Sequence, residues 1–404
     1  MLFGILLLVV EASAAFNISS LLLGDGWTLR YPPRKSYVRR QRTFPPSTPF
    51  FCQDSLAFGR SRQPPTSVHR LRPGDIDVVA AIGDSLAAGS GALEEFALGA
   101  FVEYRGVSWC AGGESNWREF LTLPNILKEY NPGLTGYSTG TGEWLERTAR
   151  LNVAFPVASD QDALKQAKIL VSRMHASPDV DVARHWKMIT IFMGANDLCS
   201  ASCLSPVEWS PLAHARKLAR ALDYLQAHLP RTIVNLVPVL DVSVSVRVRR
   251  SAMCRAMHSL FCTCFHRGGG ELRALVAMTR LYQKAEAMLV ESDRYSSRED
   301  FAVVLQPFMR LFNAPWPPRP PLPLVIHSSY ITHDCFHFSQ KGHALAANLL
   351  WNNLLEPVGN KSDSGQPILL QSFRCPTREA PFIFTAVNSK AYLATGKQDG
   401  YDEL

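Results

Sequence analysis

No apolar run in this 404-residue chain reaches the roughly 18 residues that a helix needs to cross a bilayer. The most apolar stretch, residues 2–10, is too short to span and lacks the usual basic start of a leader. No recognised metal-ligand spacing links the histidines and cysteines, so no metal is expected. Nothing resembles a nucleic-acid-binding motif, so no nucleic-acid partner is expected either. Charged residues are only 19% of the chain, and 42 Lys and Arg against 35 Asp and Glu leave a net charge of +7. Much of that excess is local. Arg30, Arg34, Lys35, Arg39, Arg40 and Arg42 crowd one segment, and Arg247, Arg249 and Arg250 another. They read as two solvated basic loops, with attraction to anionic lipid headgroups as the sharper alternative. Arg39-Arg40-Gln41-Arg42 is a candidate processing site.

What is present points to the secretory pathway. Residues 2–10 precede Ala12-Ser13-Ala14-Ala15, which reads as a signal peptide over 1–15 with a small-residue cleavage site. The nine cysteines fit an oxidising compartment. Asn17-Ile18-Ser19 and Asn360-Lys361-Ser362 are acceptor patterns for N-glycans, Asn360 the better placed. Cys199-x-x-x-Cys203 and Cys262-x-Cys264 read as disulfide partners, with connectivity open. The odd cysteine is assigned to Cys375, on the reading that it opens a further unit. The C-terminal Tyr-Asp-Glu-Leu faintly resembles a retrieval signal of the endoplasmic reticulum.

Hydropathy divides the chain into a Pro/Arg-rich arm over 16–50, a domain over 51–359 and a loosely ordered tail over 360–404. With 47% hydrophobic residues, the domain can bury a substantial core. Strands are expected at 76–82, 188–193, 232–239 and 301–306. Helices are expected at 117–130 (interrupted at Pro124), 160–175 (capped by Asp160), 211–228, 271–290 and from Ser339 to about Glu356. Continuous apolar strands alternating with helices of this length predict an α/β fold. It is a three-layer α/β/α sandwich around a mainly parallel sheet. The proline-rich stretch at 315–323 reads as a surface loop.

Three short segments carry chemistry. Ser85 lies in Ala81-Ile82-Gly83-Asp84-Ser85-Leu86, where a strand hands a serine to a glycine-flanked turn. A serine hydroxyl needs a base to take its proton and donors to receive an oxyanion. Asp334-x-x-His337 supplies a carboxylate three residues before an imidazole, a spacing that lets Asp334 orient His337. His333 is the alternative base. Asn196 follows the second strand in Gly194-Ala195-Asn196-Asp197 and can aim its amide at an oxyanion. In an open parallel sheet, all three segments can meet at the carboxyl edge.

In this order, the three segments resemble the GDSL, or SGNH, hydrolase superfamily, whose fold is flavodoxin-like. Pro65-Thr66-Ser67-Val68-His69-Arg70-Leu71-Arg72-Pro73, Leu123-Pro124-Asn125-Ile126-Leu127 and Val303-Val304-Leu305-Gln306-Pro307 resemble the repeat units of animal phospholipase B. That family consists of tandem lipase-like repeats with a C-terminal membrane anchor. The resemblance implies Ser85 as nucleophile, His337 as base, Asp334 as its partner, and no cofactor. It implies an oxyanion hole of the Ser85 N–H, the Asn196 side chain and a third N–H, which the family takes from a glycine. Val157 stands in that place, and a β-branched residue resists the backbone angles glycine reaches freely.

The expected activity is a serine esterase acting on phospholipids and lysophospholipids at a membrane or micelle surface. No obligate protein partner is evident. The expected setting is extracellular or lumenal, or the apical plasma membrane as part of a longer anchored protein. The alternative is a weak or inactive repeat that serves as a structural or lipid-binding module. A carbohydrate esterase on the same scaffold is a third reading.

Overall fold

The computed structural model describes residues 36–53, 58–205, 207–247, 254, 256–258, 262–265, 269–315 and 326–399. The leader, Asn17, Arg249, Arg250, most of the proline-rich loop and the C-terminal four residues lie outside the described residues. In chain order the main elements begin with β1 (Ile76–Gly83), α1 (Ser85–Ala88), α2 (Leu123–Leu127), α3 (Ala163–Ala176) and β2 (Trp186–Phe192). There follow α4 (Pro211–His228), β3 (Thr232–Leu236), α5 (Gly269–Glu291), β4 (Phe301–Leu305), α6 (Gln340–Leu354) and α7 (Ala386–Thr395). All belong to the unit Arg39–Leu404.

The four strands form one parallel sheet in the order β1-β2-β3-β4. Each strand is apolar because each is buried on both faces. Val79, Ala81, Met188, Ile233 and Val304 pack on one side with Ile126, Leu350 and Trp351. Val78, Ala80, Ile82, Ile189, Ile191 and Val234 pack on the other with Leu170, Met174, Leu222 and Leu225. This alternation is what the three-layer expectation requires. The free edge of β1 is covered by two broken pieces of chain. Val79 N–H donates to Thr135 O at 3.0 Å, and Val153 N–H donates to Ala81 O at 3.0 Å. The second piece runs parallel to β1, so residues 154–158 emerge at the same edge as Ser85.

Several expectations are corrected. The helix expected at 117–130 shrinks to α2. Trp117 is instead buried in an aromatic cluster, 5.5 Å from both Phe44 and Phe50 between ring centroids and 4.9 Å from Phe51. Thr122 caps the helix by accepting from Asn125 N–H at 3.2 Å. Pro124 does not interrupt it but opens it, in the first turn where its missing N–H costs nothing. The third strand stops at Leu236, because Val239 N–H is taken by the Glu286 carboxylate rather than by a neighbouring strand.

The tail is also more ordered than expected. Phe382, Ile383 and Phe384 are buried, and Ile383 N–H donates to Leu71 O at 2.8 Å. Cys375 bonds to Cys52, with the two Cα atoms 5.5 Å apart. It is therefore paired within this unit and is not the cysteine left over. The cysteine left over among nine is Cys110, buried beneath the sheet's carboxyl edge. The remaining pairs are Cys199–Cys262, Cys203–Cys264 and Cys254–Cys335. Among the described residues, no helix is long and apolar enough to cross a membrane.

Candidate active site

The strand β1 ends at Gly83 because nothing larger fits there. A Cβ at that position would lie 2.6 Å from Phe192 O and 2.7 Å from the Ala87 Cβ. Asp84 then caps α1, its Oδ1 accepting from Leu86 N–H at 2.9 Å. Ser85 follows as the first residue of that helix, nearly buried at 5% exposure. First-turn N–H groups have no partner within a helix, which leaves the Ser85 N–H without an intrahelical acceptor.

The segment 331–338 folds back on itself. Thr332 N–H donates to His337 O at 2.9 Å, and Ile331 pairs with Phe338. The Cys254–Cys335 disulfide pins this loop. His337 Nε2 lies 2.8 Å from Ser85 Oγ, and His337 Nδ1 lies 2.5 Å from Asp334 Oδ2. The other carboxylate oxygen of Asp334 accepts from Phe336 N–H at 2.9 Å, from His337 N–H at 3.1 Å and from the Thr332 hydroxyl. Asp334 is thereby held as an anion. Burial would raise its pKa, but the His337 charge and these donors drive it well below the ordinary carboxylate range. An acceptor-only carboxylate fixes the proton of His337 on Nδ1 and leaves Nε2 to accept from Ser85. Burial alone would lower the His337 pKa. The Asp334 charge and hydrogen bond, with Asp84 further off, raise it instead.

His333 does not take this place. Its Nε2 lies 3.9 Å from Glu95, and it is His337 that contacts the Ser85 hydroxyl. His343 is buried on α6, close enough to His337 to feel its charge. Its Nδ1 accepts from Trp109 N–H at 3.2 Å. Burial, followed by the His337 charge, lowers its pKa to about 3, so it stays neutral. Burial raises Asp84 to about 7, opposed by the Leu86 N–H and by His337.

Asn196 and Val157 lie on adjoining loops. Asn196 Nδ2 donates to Ala158 O at 2.9 Å, and the amide's second N–H is not used by that bond. Val157 has φ 64°, the left-handed region expected of a glycine, and its side chain is 76% exposed. The valine thus holds a backbone conformation that glycine reaches without strain. Asn360 is exposed, as a glycan acceptor must be.

A second group of polar residues was not foreseen. His214, Asp160, Asp197 and Glu286 are all buried beneath the two loops. Asp160 does not serve as the expected cap. Ser159 N–H instead donates to Asp162 at 2.9 Å, and Asp160 points inward. The one available signal was His214 in line with Leu218, Leu222 and Leu225 on the apolar face of α4. Among the described residues, no three His, Cys, Asp or Glu side chains are arranged to hold a metal ion.

Residues 79–350 match the family described as GDSL-like Lipase/Acylhydrolase. The chain is 41% identical over 341 residues to "Phospholipase B1, membrane-associated" of Mus musculus, covering 81% of this chain and 22% of that protein. Against the Homo sapiens protein of the same name it is 41% identical over 334 residues, covering 80% and 22%. Against the Rattus norvegicus protein it is 39% identical over 356 residues, covering 87% and 24%. The chain thus spans less than a quarter of the length of these relatives.

Proposed function

Since the chain belongs to the GDSL-like lipase/acylhydrolase family, we propose that it hydrolyses acyl ester bonds of phospholipids and lysophospholipids through an acyl-Ser85 intermediate. The observation that carries this reading is the contact of His337 Nε2 with Ser85 Oγ at 2.8 Å, between residues 252 positions apart. Ser85 Oγ attacks the ester carbonyl while its proton passes to His337 Nε2. Asp334 stabilises the imidazolium. The oxyanion accepts from the Ser85 N–H, the free Asn196 N–H and the Val157 N–H. Collapse releases the alcohol portion of the lipid, which takes the proton from His337. Water then attacks the acyl-serine by the same route in reverse, releasing the fatty acid and restoring Ser85.

A lipid substrate fits the rim of the site. Phe96 and Phe101, each 60% exposed, project from the loop that follows α1. The same loop touches the catalytic hairpin, since a Cβ at Gly91 would lie 3.6 Å from Thr332. Exposed phenylalanines beside an ester-cleaving centre suit a membrane or micelle surface. The four disulfides fit a secreted or lumenal setting. The apical plasma membrane is the proposed site if the chain forms part of a longer anchored protein.

The strained Val157 supports a second reading, in which the same domain turns over slowly and acts as a lipid-binding module. Purified protein, its Ser85→Ala variant and its Val157→Gly variant are compared on lysophosphatidylcholine and diacyl phosphatidylcholine. The esterase reading expects fatty-acid release that falls at least about a thousandfold in Ser85→Ala. Slow release rescued by Val157→Gly supports the second. Equal release by Ser85→Ala and the parent rejects Ser85 as nucleophile.

A further inference from the structure

The buried cluster beneath the oxyanion loops takes no part in the proton transfers described above. His214 Nδ1 lies 3.2 Å from Asp160 Oδ2, and His214 Nε2 lies 3.2 Å from Glu286 Oε1. Lys217 Nζ donates to Asp160 Oδ1 at 2.7 Å. Glu286 also accepts from Val239 N–H, at 3.1 and 3.2 Å from its two oxygens. The His214 ring stacks on Tyr282, with centroids 4.4 Å apart. Burying ions in this way costs several kcal/mol each, and apolar residues of the same volume usually stabilise a core as well. Stability alone therefore gives no reason for the cluster.

Its position does. Asp160 stands three residues after Val157, and its N–H donates to the Asp197 carboxylate at 3.1 and 3.3 Å. Asp197 directly follows Asn196, whose amide bonds Ala158 O. The two oxyanion loops are thus tied together twice, and the cluster holds one end of the tie. His214 also backs the other loop. A Cβ at Gly194 would lie 3.1 Å from His214 Cε1, and Gly194 has φ 119°. We infer that His214, gripped between Asp160 and Glu286, is the positioning residue of the oxyanion donors, locking the Val157 segment against the Asn196 turn.

The lock depends on charge. Both ring nitrogens face carboxylate oxygens, and only the doubly protonated imidazole carries two N–H donors. Burial by itself would lower the His214 pKa. The bonds to Asp160 and Glu286 and the charges of Glu286 and Asp197 raise it to about 9. The groups facing it are Asp160, Asp197, Glu286, Lys217 and Tyr282, with Arg310 acting on Glu286 from outside. Once His214 loses its second proton, one carboxylate faces a lone pair, and the grip on Asp160 loosens.

This inference rests on the esterase reading. It is tested with kcat and KM for a water-soluble short-chain ester from pH 6 to 10.5, on the parent, Glu286→Gln, Lys217→Met and Ser85→Ala. The parent's kcat is expected to fall on the alkaline side with a midpoint near the His214 value of about 9, at constant KM. Removing the Glu286 anion lowers that midpoint by about one pH unit, and removing the Lys217 cation raises it. A purely structural role would not move the limb in opposite directions. A midpoint that stays put in both variants, or moves the same way in both, overturns the inference. Lys217 lies at the rim with 19% of its side chain exposed, so its variant carries the test if Glu286→Gln does not fold. Labelling of Ser85 by a fluorophosphonate reads the same limb without turnover. Labelling that follows the expected midpoints, with no ester hydrolysis, rejects the esterase reading and leaves the positioning role standing.

Discussion

Gln166 holds Gly83 with both ends of its amide. Its Oε1 accepts from Gly83 N–H at 2.8 Å, and its Nε2 donates to Gly83 O at 2.8 Å. The side chain thus completes the ladder of β1 where the strand ends, two residues before Ser85. Gln166→Leu leaves the buried Gly83 N–H unpaired, at a cost of about 1–3 kcal/mol, and leaves Gly83 O only the long 3.4 Å bond from Phe155 N–H. The denaturant midpoint is expected to drop accordingly. The turnover number should fall up to about a hundredfold, since small misplacements of a nucleophile are costly. Gln166→Glu keeps the acceptor and should fall between the two. Unchanged turnover in Gln166→Leu would show that α1 holds Ser85 in place unaided.

Val157 stores strain that glycine would not. A β-branched residue held in the left-handed region costs about 1–3 kcal/mol. Val157→Gly should raise kcat several-fold at constant KM, without shifting the acid limb of the pH profile. Steady-state kinetics on a soluble ester decides this. A lower kcat would mean that the valine side chain contributes something a bare backbone cannot.

In the proposed mechanism the acid limb reports His337. A base must be neutral to act, and the His337 pKa is raised above its usual value near 6.5. Activity should therefore decline as pH drops through a midpoint above 6.5. Asp84→Asn keeps a capping side chain but removes a negative charge that favours protonated His337, so the midpoint moves to lower pH. Stability follows the same signs. The raised pKa of His337 contributes stability that is fully present below the unfolded value and lost as pH rises through the folded one. His343 works the opposite way. Its folded value of about 3 means that the unfolded chain binds the extra proton between about pH 6.5 and 3, so stability falls with acidification there, by at most about 1.4 kcal/mol per pH unit. Melting temperatures across that window should decline less steeply in His343→Gln, whose amide oxygen can still accept from Trp109.

Two disulfides should separate stability from activity. Removing Cys52–Cys375, by Cys52→Ala with Cys375→Ala, should cost about 3–5 kcal/mol because the closed loop is long. Turnover at 25 °C should barely change, as the bonded cysteines contact each other's flanking backbone, Arg374 O and Phe51 O, and not the loops of Ser85 and His337. Removing Cys254–Cys335 frees the hairpin that presents Asp334 and His337, so turnover should fall well beyond any change in melting temperature. Calorimetry beside initial rates distinguishes the two. Equal losses of activity in both variants would contradict the anchoring role assigned to Cys335.

Ser85, His337 and Asp334, which the fold brings into contact, could be singled out because each sits in a short segment directly after a strand or before a capped helix. The helix at 211–228 was legible to its ends, with Ser210 capping and Leu229 leaving the helix. The buried cluster was not. His214 and Glu286 are 72 positions apart and meet only through the packing of α4 on α5, which no local pattern encodes. Asp160 was misread for the opposite reason. A carboxylate before a helical stretch looks like a cap, and only the inward-turned side chain shows otherwise. Trp117 likewise fits a helical pattern locally, and its partners Phe44, Phe50 and Phe51 lie at least 66 positions earlier in the chain.

The bond between Cys52 and Cys375 also has a mechanical meaning. The chain enters and leaves the sheet-bearing region through two points only 5.5 Å apart, joined covalently. A pull along the polypeptide from outside would pass through the sulfur bridge as through a closed clasp. The packed segments outside it, Gln41 on one side and Phe382–Phe384 on the other, would be torn loose first, and the strands and the serine they carry would then feel no tension.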